Sequence, residues 1–461
     1  FMLYLNCNVI AVENEASSSL IGLLEVAPNE HVVLENVKSF ASINSTAPTI
    51  GGIVGKLVAA ANSTVEFVRC FFVGLIETHQ ADQGDRVAAG FVGTMQLAPN
   101  ATVVFRDSIN YGTFRVNLTK DHNAFVAGLV AHPKCLGEKC RLMFVDSDNR
   151  GSVNAIGSVQ SEAAGLVLNH DEHIDVTIAG GFNTRTVTSS GSAYGFANKA
   201  REVVGSIAAG TVHGEHLACG VVGTADVVAR AANLGAVTSN GTALGIAHTV
   251  GTIEACVNRG NISAKVEACG FVHQATNATS LQNSGRIESE LDAFAFARVA
   301  AVLANSKNDG SVEAGAAGFS ALVHEVVNMS TVVHTGSCLN IAVTYDNIDN
   351  FFTTKSAELR KPVGQQITTD SHGVWLTEDL KILDLVQYLN ALGKESDVAM
   401  FWSTTLRLGY AVNVFEGRDA HDPLFTAVVE PGQTLGEAMY ECGQGQYIDG
   451  PYHLETKETD D

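Results

Sequence analysis

At 461 residues the chain is long enough for roughly two to four ordinary domains or for one elongated array. Its formal net charge of −21, from 49 acidic against 28 basic residues, argues against a surface built to track phosphates, so nucleic acid is not an expected partner. Charged residues make up only 17% while Gly numbers 44 and Pro 8, which excludes a disordered chain and favours short strands joined by tight turns.

Residues 1–19 are weakly patterned and read as a lead-in. The first repeat-like opening is Leu20-Ile21-Gly22-Leu23-Leu24, followed by a strand-like run from His31 to Leu34. Three long units come next, over about 52–165, with opening glycines Gly52, Gly90 and Gly128 and second glycines Gly74, Gly112 and Gly151. Extra length falls at matching places in these units, so they are expected to stack into a widened cross-section or a protruding shelf. Inside the extra length, Asn62 to Phe67 and Asn100 to Phe105 each read as a turn followed by an alternating strand.

Five regular units of 25 residues follow, over 193–317. Each opens on a pattern such as Ala218-Cys219-Gly220-Val221-Val222 or Ala243-Leu244-Gly245-Ile246-Ala247. Later comes Asn-x-Gly-x-(Val or Ile), as in Asn233-Leu234-Gly235-Ala236-Val237 and Asn258-Arg259-Gly260-Asn261-Ile262. A fixed period of this size marks a repeat protein whose units bury apolar faces only against their neighbours. Paired apolar residues separated by Gly, Asn, Ser and Thr, with Val, Ile and Phe favoured, point to strands rather than helices. The expected fold class is therefore all-β: a single-stranded right-handed β-helix, or β-solenoid, of about ten to eleven coils over 20–338.

Within it, Asn110, Asn149, Asn233, Asn258, Asn283 and Asn308 share one corner and are expected to form an amide ladder. Gly220, Gly245, Gly270, Gly235, Gly260, Gly285 and Gly310 are corner glycines, serving either a positive φ or a close backbone approach. Val221, Ile246, Phe271 and Phe296 on one strand, and Val237, Ile262, Ile287 and Val312 on another, are expected to point inward.

Beyond Gly336 the pattern stops. Residues 339–408 read as a C-terminal cap containing a helix over 378–392, with Thr377 as its N-cap and Gly393 as its stop. Residues 409–454 read as a small α+β, β-grasp-like module, with strands from Tyr410 to Phe415 and Leu424 to Val429 and a short helix over 432–439. An acidic linker over 455–461 follows.

Nine cysteines fit no zinc pattern. Cys135 and Cys140 are spaced to close a small disulfide loop, whereas Cys219, Cys256 and Cys269 read as small core residues. Eight Asn-x-Ser/Thr sequons, at Asn44, Asn62, Asn100, Asn117, Asn240, Asn261, Asn277 and Asn328, are possible glycosylation sites and point to an extracellular location. Asn- and Thr-rich turn chemistry also generates sequons without secretion. No apolar run is long enough to span a membrane, and a chain starting at Phe1 reads as a trimmed piece with any signal or anchor outside it.

The alternation of Ala-x-Gly-(Phe, Val, Ile) with Asn-x-Gly-x-(Val, Ile) resembles the GLUG-type repeat of large bacterial and protist surface proteins, over about 20–336. Leu389 to Leu392 followed by Trp402 is similar to the helix and Trp that often end such arrays. The resemblance implies a right-handed β-helix, an extracellular or surface location, and adhesion or scaffold roles without enzymatic activity. Ala295 in place of the opening Gly, Ala208 in place of the Asn, and the long coils depart from the pattern.

Solenoid enzymes that act on polysaccharides cluster Asp with Lys or Arg on one outward strand face; Asp residues at matching positions of neighbouring coils are absent here. His170 and His173 flank Asp171 and Glu172 in a His-x2-His arrangement, and His248 and His273 share a register. These four are the metal candidates, although a solvated turn or a decorated corner is the more frequent reason for such pairs, and no metal or cofactor is expected. Asp107, Asp146 and Asp148 read as capping carboxylates near coil turns. No Gly-x-Ser-x-Gly elbow between strand and helix and no phosphate-binding loop is present. The expected function is that of a secreted or surface-displayed adhesin, interaction scaffold or spacer, with a protein or carbohydrate ligand. The alternative is a carbohydrate-active β-helix, a lyase or hydrolase, with its cleft near the long coils. An intracellular structural role is the third reading.

Overall fold

In the computed structural model, the residues described are 4–5, 8–11, 16–78, 84–334, 336–338, 340–353, 374–376, 400–402, 408–416, 425–429 and 452–456. Among them there is no helix, and all the regular structure is β-strand. One regular coil consists of an opening strand Ser192–Tyr194, an eight-residue strand Ala197–Val204, a two-residue strand Ile207–Ala208 that belongs to the asparagine corner, and a closing strand Val212–Gly214. Each strand pairs in parallel, in register, with its counterpart one coil further on. The closing strands build one 11-stranded sheet; the others join into a 32-stranded one. Parallel strands without intervening helices, each repeated at the coil spacing, make this a β-solenoid.

In the long coils the eight-residue strand is divided. A six-residue second strand leads into a turn, and the chain returns in a separate third strand. The second strands Ile21–Val26, Val54–Ala59, Val92–Leu97 and Val130–Cys135 form a four-stranded sheet of their own, the shelf. The other added length sits between closing and opening strands, for example over 118–123 and 157–161. Turn tips on the shelf carry Asn29, Asn62 and Asn100 at φ of 63°, 58° and 61°, a left-handed conformation that Asn tolerates better than most residues. Their amides stack, Asn62 donating to Asn29 at 3.2 Å and Asn100 to Asn62 at 3.1 Å.

The core is continuous along the stack. Its filling follows the cross-section, as one column in register illustrates. That column runs Phe67, Phe105 and Phe144 in the long coils, then Ile178, Val203, Val228 and Ile253 where the coils narrow. The three Phe rings stack at 4.7 and 5.1 Å. All eight residues expected to point inward are buried, from Val221, Ile246, Phe271 and Phe296 to Val237, Ile262, Ile287 and Val312.

The corner glycines serve close approach rather than left-handed backbone. None of the seven has a positive φ, and a Cβ on Gly220, Gly245, Gly235 or Gly260 would fall 1.9–2.1 Å from the carbonyl oxygen of a neighbouring coil's glycine. A different corner, after the eight-residue strand of the regular coils and its counterpart Ile174–Ala179, takes one left-handed residue per coil, including Gly180, Gly205, Arg230, Ala255 and Ser280.

The ladder is longer than the repeat signatures. Residues 4–5, 8–11 and 16–18, expected as a lead-in, already pair in register with 38–39, 42–45 and 49–51. Where Ala295 replaces the corner glycine, the opening, eight-residue and two-residue strands run together as the 17-residue strand Asp292–Asn308, and Ser320–His334 and Asn340–Thr353 stack on it as long strands. The left-handed corner persists within Asp292–Asn308 at Asn305, φ 48°, and Gly310 and Gly336 keep the second glycine, but the opening glycine is gone, and pairing continues through Val374–Leu376. The region expected as a separate cap from 339 thus begins with further ladder strands. The expected helices over 378–392 and 432–439 lie outside the described residues. Further on, a four-stranded antiparallel sheet is described, Met400–Trp402, Leu408–Glu416, Phe425–Val429 and Tyr452–Thr456, which crosses the boundary expected between cap and module.

Candidate functional site

The opening strand and the strand after it meet at a concave corner that runs the length of the solenoid on its outside. In the regular coils this corner is filled by Tyr194, Cys219, Leu244, Cys269 and Phe294, a second apolar cluster separate from the main core. Above them lie the ionisable side chains. Glu267, whose side chain is 4% exposed, accepts a hydrogen bond from His273 Nδ1 at 2.6 Å and one from Arg298 at 2.5 Å; Arg298 also reaches Asp292 at 3.9 Å. Burial by itself would raise the Glu267 pKa, but the bonds from His273 and Arg298 outweigh it and hold the carboxyl below its ordinary value. His248 lies parallel on His273, with ring centroids 4.8 Å apart. Burial first, then the neighbouring His273, lowers the His248 pKa and favours the neutral ring.

Further toward the long coils the same corner holds Glu162, bonded to His170 at 2.9 Å, with His132 6.1 Å from His170 by ring centroid and Phe125 edge-on at 5.6 Å. The His-x2-His pair is thereby divided. His170 turns to Glu162, while His173 stays exposed with Glu172 at 4.0 Å. Among the described residues no three His, Cys, Asp or Glu side chains converge as a metal site. His248 and His273 are close, yet His273 spends Nδ1 on Glu267 and His248 faces Thr249 Oγ1 at 3.1 Å.

Glu267, Asp292, Arg298, Glu162 and His132 are residues that sequence reasoning passed over. The signal was present: Glu267 and Asp292 occupy matching positions one coil apart and pair in register. A search restricted to Asp missed this mixed Glu/Asp pair. Arg298 likewise continues the column His248, His273.

The asparagine corner carries two amide runs. Asn110 donates to Asn149 at 2.7 Å and Asn149 to Asn183 at 2.8 Å. After Ala208, Asn233, Asn258, Asn283 and Asn308 are linked at 2.7–2.8 Å, and Asn308 Nδ2 meets His334 Nδ1 at 3.2 Å. Each of the six predicted members also donates to the carbonyl oxygen of the glycine two residues on, as Asn258 does to Gly260 at 3.1 Å. Cys135 and Cys140 are disulfide-bonded, with Cα atoms 6.0 Å apart. Cys219, Cys256 and Cys269 are free and buried, and burial pushes their thiols well up, Cys256 to about 12, which leaves them unreactive. All eight sequon asparagines, Asn44, Asn62, Asn100, Asn117, Asn240, Asn261, Asn277 and Asn328, are exposed.

Three open grooves accompany these features. One of about 550 Å³ follows the closing strands and carries Glu288, Glu290 and Glu313 with Lys265 and His213. One of about 340 Å³ lies beside Lys199 and Asp226. The largest described here, about 770 Å³, is a trough on the shelf, lined by Lys56, Thr94, Gln96, His132 and Lys134 with Glu25 and Thr49. No helix among the described residues is long and apolar enough to cross a membrane. No family model, curated protein or solved structure matches the chain.

Proposed function

We propose that this chain is a right-handed β-solenoid of the GLUG-repeat kind that works as a secreted or cell-surface recognition scaffold, holding a ligand-binding shelf on a stiff rod without catalysing a reaction. Right-handed winding is the hand that parallel strand connections take almost without exception. The observation that carries the reading is the division of labour along one continuous ladder. Regular coils carry a filled outer corner in which His273 and Arg298 hydrogen-bond to Glu267, and long coils carry an open trough. Exposure of all eight sequon asparagines supports a secreted location.

A second reading, a carbohydrate-active solenoid, draws on the Glu267, Arg298 and Asp292 group, where acids and a cation share one outward face. Incubation of the full chain with a panel of acidic and neutral polysaccharides, followed by assay of new reducing ends and of unsaturated products, separates the two. The scaffold reading expects none above a boiled control. Turnover that disappears in Glu267→Gln would overturn it in favour of the enzyme. Treating the protein purified from its native source with an endoglycosidase checks the location: a loss of mass is expected, and unchanged mass in a cytosolic fraction contradicts it.

A further inference from the structure

We infer that the trough on the long-coil shelf is a binding site for an acidic polysaccharide, which lies along the solenoid axis with its carboxylate or sulfate groups against Lys56, His132 and Lys134. The inference rests on the recognition reading above and names its ligand class.

Local charge is the first argument. The chain as a whole carries −21, and the groove along the closing strands is acidic, with Glu288, Glu290 and Glu313 against Lys265. In the trough the balance reverses: Lys56 and Lys134 face Glu25 as the one acid of its lining, and His132 adds a ring N–H donor rather than a charge. A basic groove on an acidic molecule concentrates anions there and repels them elsewhere. Arg69, Arg150 and Arg286 elsewhere on the surface are paired, with Glu35, Asp148 and Glu313, whereas neither trough lysine takes part in an ion pair among the described residues.

Geometry supplies the second argument. Outward side chains form two rows across the four shelf strands, Leu23, Lys56, Thr94, His132 and Glu25, Val58, Gln96, Lys134, each in parallel register. At one residue per strand spacing the rows advance about 4.8 Å per coil and span about 14 Å in all, a polar track for a chain-like ligand. Thr94 and Gln96 stand between the cations and offer hydrogen bonds to hydroxyls.

An acidic peptide suits the trough less well. Extended peptides gain affinity by adding a strand to a free sheet edge, and the backbones of the two middle floor strands, Val54–Ala59 and Val92–Leu97, are paired on both sides. A ligand there meets side chains, which suits charged and hydroxylated sugar units.

The test is retention of the full chain on immobilised polygalacturonate, dextran sulfate, neutral dextran and poly-glutamate at low salt. The charge-reversed double variant Lys56→Glu/Lys134→Glu is compared with Lys199→Glu/Lys265→Glu, which changes net charge equally but lies off the trough. The expected result is salt-sensitive retention on one or both acidic polysaccharides, with the two arms separating carboxylate from sulfate. That retention weakens by roughly tenfold or more in the trough variant, as when attractive charges become repulsive, and much less in the control. Far-UV circular dichroism unchanged from the parent shows that the variants fold. No retention on either acidic polysaccharide, equal loss in both variants, or stronger retention on poly-glutamate overturns the site. Depolymerisation of a bound glycan in the same samples would leave the trough standing and overturn the non-catalytic reading instead.

Discussion

Ala208 is the single residue at which the amide ladder fails, and the failure leaves a specific trace. Each Asn passes an Nδ2 hydrogen to the Oδ1 of the next coil. With Ala at 208 the donor Asn183 Nδ2 and the acceptor Asn233 Oδ1, on either side of the gap, are both buried without a partner. Space is present as well. A Cβ on Gly165, Gly220 or Gly245 would meet an Asn amide at 2.8–3.2 Å, whereas the three atoms nearest a Cβ on Gly195, beside the gap, are all backbone. Ala208→Asn should therefore join the two runs and stabilise the fold by about 1–3 kcal/mol, the cost of leaving such groups unpaired. Urea or thermal denaturation checks it, and an unchanged or lower midpoint would mean that solvent already fills the gap.

His334 ends the ladder, and its chemistry sets a pH dependence. Burial, only partly offset by Asn308 and Asp309, lowers its pKa from 6.5 to about 4. An Asn308 amide hydrogen directed at Nδ1 also requires that nitrogen unprotonated. The unfolded chain takes up the proton first, so stability contributed by the neutral ring is complete above pH 6.5 and is lost as pH falls toward about 4. His132 and His248, also lowered, push the same way. His334→Asn, which offers an Oδ1 in the same place, should flatten the stability profile between those pH values relative to the parent; parallel profiles would contradict the assignment. Six ladder asparagines were legible in the sequence because Asn-x-Gly recurs with the coil period, whereas Asn183, followed by Thr184-Arg185, lacks the glycine, and His334, followed by Thr335-Gly336, keeps the glycine but lacks the Asn.

At the scale of elements, coil registers and inward positions could be read because a solenoid repeats its demands every coil, and a corner that admits no Cβ selects Gly each time. Two features escaped for the same reason. From Asp292 onward the opening glycine is gone, and beyond Gly336 neither glycine recurs, so the pairing of Asn340–Thr353 left no signature. The ion-paired corner is built from Glu267, His273 and Arg298, which come from two coils and two columns, so no contiguous motif records it.

The shelf carries its own device. Its last turn has one residue more than the one before, since Leu97 pairs with Cys135 but Thr102 with Arg141, and the disulfide closes that longer loop. A loop this short contributes about 2 kcal/mol by the chain-entropy estimate. In Cys135→Ser/Cys140→Ser, amide exchange at Leu136 and Arg141, which donate to the preceding coil's Leu97 and Ala101, should speed by tenfold or more. The regular coils should keep the parent's rates. Unchanged exchange on the shelf would show that ladder pairing holds the turn without the sulfurs.

For the whole molecule, everything rests on coils stacked in register, so that residues far apart in sequence lie a fixed number of strand spacings apart. Lys199 and Glu325 are joined through Thr224, Thr249, Gln274 and Val299, five parallel steps in all. At about 4.8 Å per step they should stand about 24 Å apart. Both are exposed, and the free thiols among the described residues are buried, so with Cys7 and Cys442 replaced by Ser, spin labels at Lys199→Cys and Glu325→Cys can be introduced selectively. A pulsed dipolar measurement should give one narrow distance near 24 Å, widened only by the label arms. A broad distribution, or a separation well beyond that, would contradict the stacked solenoid and with it the placement of the ladder, the corner and the trough.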